Sequence, residues 1–289
     1  MPEWMKRIRP RGHCWLGLSR ETVAVRHEGA SRRSTPMLAE APLPDLRGAA
    51  PDTLAVPIAA ALAAAGGNGL PVYATLADNL VRYFIVTPPD NSARMQDLRA
   101  AATVRFQLLY GETISAWQLV ADWQVTTPFL ACAVSRRITT ALQLAVSAER
   151  GCLVSLTPNF VAAWNGSRQQ LRPDAWLATL ADGALTFGLV ANAAKPRLAA
   201  VRTLTLPEEA PPVAWLREQV ARIALLDNLP APSVLFVHGP RLDAWQPGAA
   251  SYGETGMTVR WCASDNTASG PHGRGTLAQA QLARGGAAP

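Results

Sequence analysis

The chain has 289 residues, 49% of them hydrophobic and 17% charged, which is the composition of a packed globular protein and not of a disordered one. No window reaches the roughly eighteen uninterrupted apolar residues that a membrane span needs; the nearest run, 55–67, is short and mostly alanine. The net charge of +6 and a pI near 9.6 invite a nucleic-acid reading. Residues 1–33 alone, however, hold eight Lys or Arg against three Glu. Beyond them there is no basic helix and no interleaving of arginine with aromatics of the kind that stacks bases. The segment 1–11 therefore reads as a solvated basic stretch, with anionic lipid or an acidic partner as its functional alternative. No apolar stretch of a secretion signal follows it.

The first hairpin is expected over residues 14–26. Five prolines between 31 and 57 (Pro36, Pro42, Pro44, Pro51, Pro57) then predict a surface connection without regular structure. Pro57 suits the first turn of a helix over 58–65, which Gly66 and Gly67 end. Strands follow at 71–76 and 80–86, the second apolar on both faces as a central strand would be. Met95, Leu98, Ala102, Phe106 and Leu109 recur at helical spacing within 92–110, and Gly111 stands at the C-cap. Residues 115–125 and 129–134 read as a hairpin, leading to Ser135 as N-cap of a helix that Gly151 terminates.

Beyond it, 152–156 reads as a strand and 157–165 as a Pro-started helical turn. Three antiparallel strands at 175–180, 184–190 and 197–206 follow, the first two joined by Ala-Asp-Gly. Pro212 starts a helix in which Trp215, Leu216, Val220, Ile223 and Leu226 share a face. Residues 233–237 form a buried strand closed by His238, Gly239 and Pro240, and 257–262 a last strand. From residue 263 the Gly, Ala and Ser-rich composition predicts a disordered tail. The resulting division is a basic segment 1–11, a first lobe 12–150 with an inserted subdomain, a second lobe 151–262 and the tail 263–289. Three strands, a helix and a further strand in the second half are the core order of a ribonuclease-H-like unit.

Chemistry is sparse. Cys14, Cys132, Cys152 and Cys262 lie far apart with no Cys-x-x-Cys pair, and the histidines at 13, 27, 238 and 272 scatter, so neither a zinc site nor a disulfide framework is expected. Cysteine within apolar strands behaves as a small hydrophobe, which suits a reducing compartment. The sequence has no P-loop, no nucleophile elbow and no His-Glu-x-x-His pair. His238, after a buried strand, reads as a hydrogen-bonded loop histidine. Asp78 and Asp182 each follow a strand and precede a turn; turn formation is the ordinary role, and an acid and base pair the alternative.

Residues 14–26, Cys-Trp-Leu-Gly-Leu-Ser-Arg-Glu-Thr-Val-Ala-Val-Arg, form a strand, turn and strand, and a related hairpin recurs at 176–190. Two such hairpins, each opening one half of the chain, resemble the phosphate-gripping pair of the actin-like ATPases. Residues 80–88 (Leu-Val-Arg-Tyr-Phe-Ile-Val-Thr-Pro), 105–111 with Trp117, 153–158 and 234–239 (Val-Leu-Phe-Val-His-Gly) in this order resemble the PilM family of type IV pilus assembly proteins. They are similar too to the cytoplasmic domain of platform protein L of type II secretion, the GspL-like proteins. The resemblance covers residues 12–262 and implies an α/β, two-lobed, actin-like fold of two ribonuclease-H-like units.

Carried over residue by residue, the nucleotide positions of that fold fall on Gly17, Ser19, Asp182, Gly183 and Gly239. The first turn lacks the Asp and second glycine that a nucleotide turn wants, and His238, Gly239 and Pro240 stand where paired glycines are expected. The resemblance thus implies a degenerate, non-enzymatic scaffold without nucleotide or magnesium, cytoplasmic and peripheral to the inner membrane. It implies a PilN-like bitopic membrane protein as partner, with Arg82, Tyr83, Trp117 and Trp123 as the candidate docking region, and a cytoplasmic motor ATPase as a second partner. An active ATPase or kinase binding ATP and Mg remains the alternative, and nucleic-acid binding through residues 1–11 a third.

Overall fold

The computed structural model describes residues 12–29, 35–90, 94–172, 174–191, 196–207, 211–245 and 256–262. The basic segment 1–11 and the tail 263–289 lie outside the described residues. The chain forms two compact units: one takes the described residues up to Ala77 and Arg137–Ala162, the other Asp78–Arg136 and the described residues from Ala163 to Cys262.

In the first unit β1 (His13–Leu18) pairs antiparallel with β2 (Thr22–Glu28), which pairs antiparallel with β3 (Met37–Pro42). On its other side β1 lies parallel to β4 (Pro71–Leu76), and β4 parallel to β8 (Cys152–Pro158). Between β1 and β4 the chain forms α1 (Pro51–Ala64), packed on β2 and β3 with Leu54, Ile58 and Leu62 buried. Helix α3 (Arg136–Ala148) buries Ile138, Leu142 and Val146 before β8.

The second unit contains a sheet of the same plan. Strands β9 (Ala175–Ala181), β10 (Ala184–Ala191) and β11 (Arg197–Thr205) run antiparallel in succession, and β12 (Val234–His238) and β13 (Thr258–Trp261) add in parallel beside β9. Both sheets therefore have their strands in spatial order 3-2-1-4-5, with only the second strand reversed. That order is the core of a ribonuclease-H-like unit, so the expected duplication is met. Helix α5 (Val213–Leu226) covers the second sheet through Leu216, Val220 and Ile223, over a core of Trp176, Phe187 and Trp245. The same unit holds a three-stranded sheet, β5 (Val81–Val86), β7 (Phe129–Ser135) and β6 (Trp117–Ala121), in the order β5-β7-β6. Helix α2 (Met95–Tyr110) packs on it through Leu98, Ala102 and Phe106. Helix α4 (Asn159–Ser167) carries the chain from the first unit into the second.

Three expectations fail for identifiable reasons. The stretch read as an irregular connection contains β3, because Pro36 precedes the strand and Pro42 ends it, so that neither withholds a donor from its interior. Helix α1 starts at Pro51, not Pro57; Pro51 occupies the first-turn position, and Pro57 is held inside the helix. Leu226 is 72% exposed, since Ala224 takes the buried place at the end of α5.

Helix α3 does not use Gly151 for its left-handed residue. Arg150 adopts φ 53°, while the Arg150 and Gly151 N–H groups donate to Ser147 O and Val146 O at 2.9 Å each, a Schellman closure. Gly151 is needed for another reason: a Cβ there would lie 2.8 Å from Leu70 O. Because a side chain pays for the left-handed conformation and glycine does not, Arg150→Gly is expected to stabilise the protein by about 0.5 kcal/mol, read as a raised urea midpoint.

Candidate functional site

The first hairpin turn, Ser19 to Glu21, is closed upon itself. Ser19 is buried and its N–H donates to Thr22 O at 2.9 Å. Its Oγ accepts the N–H of Thr22 at 3.0 Å and of Glu21 at 3.3 Å, and lies 3.0 Å from Thr22 Oγ1. A phosphate turn works by presenting such N–H groups to a ligand; here the serine hydroxyl takes two of them. Gly17 sits inside β1, opposite Ala24 on β2 and Thr75 on β4.

The second hairpin turns through Asp182 (φ 50°) and Gly183 (φ 65°), both left-handed, as a two-residue type I′ turn requires and as Asp-Gly supplies. The Asp182 carboxylate accepts Asn79 Nδ2 at 2.8 Å, and the same amide reaches Asp182 O at 3.2 Å. The neighbouring Asp78 is 2% exposed. Its Oδ1 accepts the Tyr83 hydroxyl at 2.6 Å and its Oδ2 the Thr179 hydroxyl at 2.5 Å, both in the range of charge-assisted bonds. These contacts tie the segment that starts at Asp78 to the β9–β10 hairpin within the second unit. Asp78 and Asp182 are thus brought into one neighbourhood, each held by different donors.

The loop after β12 makes a third contact in this unit. Gly239 has φ 138°, and a Cβ there would meet Leu180 O at 2.2 Å, so this turn runs hard against the end of β9. His238 Nε2 lies 2.7 Å from Ser167 Oγ, so the histidine is hydrogen-bonded as the sequence suggests, but as the last residue of β12 and not in the loop beyond it. Burial pushes its pKa down from 6.5 to about 4. A histidine held neutral binds fewer protons folded than unfolded. Stability is therefore expected to be unaffected above pH 6.5 and to fall as pH drops from 6.5 towards 4, by about 2 kcal/mol once water access to the ring is allowed for. His238→Gln, which keeps a partner for Ser167, should flatten that limb of a stability-against-pH curve.

The four residues of the expected docking region all lie on or beside the three-stranded sheet. Arg82 stacks over the rings of Tyr110 and Trp117, 5.5 and 5.6 Å from their centroids, and pairs with Glu112 at 3.7 Å. Trp117 donates Nε1–H to Glu112 at 2.9 Å, so Glu112 links the two. Trp123, at φ 38°, packs on Phe129 with Arg99 above it. Tyr83 is buried, its hydroxyl engaged by Asp78. Burial raises the thiol pKa of Cys14 to about 11 and of Cys132 to about 12, which keeps both protonated and unreactive. Among the described residues no helix is long and apolar enough to cross a membrane, and no cluster of His, Cys, Asp and Glu forms a metal site.

Thr179, Asn79 and Ser167 had no signal in the sequence. Each works through a partner 71 to 103 residues away, which no spacing pattern encodes.

The duplicated 3-2-1-4-5 sheets define the chain as a protein of actin-like ATPase fold. The cytoplasmic domain of EpsL, an inner membrane component of the type II secretion system of Vibrio cholerae, matches it with TM-score 0.54 and 10% identity over 93% of this chain and 92% of that one. A protein of Bacteroides thetaiotaomicron with an actin-like ATPase fold and unknown function matches with TM-score 0.50 and 9% identity over 84% and 87%. A PilM–PilN type IV pilus biogenesis complex matches with TM-score 0.47 and 18% identity over 74% of this chain, which spans 66% of the matched chain. No protein-family model matches the sequence, and no curated protein does.

Proposed function

We propose that the protein is a non-enzymatic scaffold of an inner-membrane assembly platform, of the type IV pilus or type II secretion kind. In this reading it sits at the cytoplasmic face of the inner membrane, binds the cytoplasmic part of a PilN-like bitopic membrane protein, and couples it to the motor ATPase. The observation that carries the reading is that both hairpin turns are closed by the chain's own groups: Ser19 Oγ holds the N–H of Glu21 and Thr22, and Asn79 holds the Asp182 carboxylate. A nucleotide would have to displace these bonds to be gripped. The fold shared with the EpsL cytoplasmic domain over nearly the whole of both chains supports the same reading.

Calorimetric titration of the full chain with ATP and magnesium is expected to give no saturable heat at concentrations that detect micromolar binding. A saturable heat, lost on Asp182→Ala without loss of stability, sinks the scaffold reading in favour of an active ATPase or kinase. Co-purification with a membrane protein bearing a short cytoplasmic N-terminal segment tests the partner directly.

A further inference from the structure

The two crossover helices leave one face of the first sheet to another cover. α1 lies on the Cys14 side: a Cβ on Gly67, just beyond that helix, would stand 2.8 Å from Cys14 Sγ, and His27, which pairs with Cys14, lies with Nδ1 3.1 Å from Ala65 O. α3 joins the same side, because the crossovers from β3 to β4 and from β4 to β8 step across the sheet in one direction and such parallel crossovers are right-handed. Trp15 alternates with Cys14 and Leu16, so it turns the other way. The register sets Trp15 beside Arg26 and Tyr73 on that opposite face, and Gly17 between Ala24 and Thr75.

This second face is nevertheless closed to solvent. Trp15 is 4% exposed, and Ala24 and Thr75 are fully buried. Among the described hydrophobic side chains Trp15 packs only on Tyr73, with ring centroids 4.9 Å apart, and the edge of His13 stands 4.9 Å away. Trp15 Nε1 and Thr75 Oγ1 are buried with no hydrogen-bond partner among the described residues. These exposures are those of one chain by itself, so the cover is a stretch of this chain outside the described residues. Residues 91–93, 173, 192–195, 208–210 and 246–255 connect elements of the second unit, and 30–34 only join β2 to β3. Residues 1–11 would bring Lys6, Arg7, Arg9 and Arg11 to a face where Arg26 and His13 already share one acid, Glu28, at 3.1 and 3.5 Å.

The segment 263–289 suits the face better. Its average composition hides one window, Thr276-Leu-Ala-Gln-Ala-Gln-Leu-Ala-Arg-Gly285, made of strong helix formers with an N-cap residue before them and a glycine after. Leu277 and Leu282 supply apolar bulk, while Gln279 and Gln281 carry amides for buried polar groups such as Trp15 Nε1 and Thr75 Oγ1. Residues 263–275 allow a span of up to about 40 Å before the window begins. We propose that residues 276–285 form a short helix that lies on the Trp15 face of the first sheet and completes the core of that unit. Burial of the two leucines against Trp15 and Tyr73 drives the docking. The inference is independent of the platform reading.

The test uses the full chain, limited trypsin digestion and thermal unfolding. Cleavage after Arg284 is expected to be at least about tenfold slower in the protein than in a free peptide of residues 263–289. Trp15→Ala should bring it to the rate of the peptide, while Trp15→Phe, which keeps a ring, should leave the protection in place. Trp15→Ala also removes a core side chain, so a variant carrying Leu277→Asp and Leu282→Asp provides a reading that leaves the sheet untouched. Its thermal midpoint should fall by about 5 °C, and its Arg284 should be cut as fast as in the peptide. Free cleavage after Arg284 in the unaltered protein overturns the inference, as does an unchanged midpoint in the leucine variant. Protection after Arg7 and Arg11 that Trp15→Ala removes, with Arg284 cut freely, gives the face to residues 1–11 instead. A concentration-dependent dimer that Trp15→Ala abolishes, again with Arg284 cut freely, gives it to a second copy of the chain.

Discussion

Gly239→Ala is expected to lower the stability of the protein by about 3 kcal/mol or more. Two penalties act together. The φ of 138° is one that a side chain rarely adopts, and the added carbon would lie 2.2 Å from Leu180 O and 3.0 Å from the Leu180 carbonyl carbon and Cβ. Backbone atoms cannot yield as a flexible side chain can, so the loop must lift away from β9. The parallel pairing just before it, His238 with Thr179 and Val237 with Ala178, would loosen in consequence. Gly183→Ala is the control, because Gly183 is also left-handed (φ 65°) but nothing stands within 4 Å of its missing Cβ. It should cost only about 1 kcal/mol. Urea unfolding of both variants separates strain from collision, and equal losses would show that the close approach to Leu180 is not felt.

Removing the hydroxyls that hold Asp78 should be comparably severe. Tyr83→Phe and Thr179→Val each remove one hydroxyl donor from a buried carboxyl group, at about 1–3 kcal/mol apiece. The double variant should lose about 3–5 kcal/mol. Because both donors serve one carboxylate, the two losses should not add, and a double-mutant cycle should return a coupling of about 1 kcal/mol. A loss under about 0.5 kcal/mol for Thr179→Val would mean that the bond to Asp78 does not help to hold the segment beginning there on the second sheet.

What could be read from sequence here was what is encoded locally. Asp182 and Gly183 announce a tight hairpin because the two residues themselves supply the left-handed pair the turn needs. Gly66 and Gly111, at φ 72° and 66°, announce helix ends for the same reason. β3 was illegible because its pattern is that of an exposed edge, with Met37 and Leu38 both about half exposed and prolines at its margins. Leu226 was misplaced because an apolar residue at helical spacing says only that it can be buried, while the sheet beneath decides which one is. The site divides in the same way. Asp182 drew notice as a turn acid, but nothing near it in sequence reveals that Asn79 would occupy its carboxylate. His238 could be foreseen as hydrogen-bonded, though not its partner Ser167.

Among the described residues the chain passes between its two compact units three times, at Ala77, Arg136 and Ala162. Neither unit is therefore a continuous piece of polypeptide, and order of synthesis matters. As the chain leaves the ribosome, the stretch from Asp78 to Arg136 emerges long before the strands it will rest on. Asp78 must wait 101 residues for Thr179. During that interval the β5 edge and the surfaces meant for the later half stand open, and closing so long a loop is slow. A nascent chain halted before Ala175 should accordingly expose β5 to proteases that leave the finished protein intact.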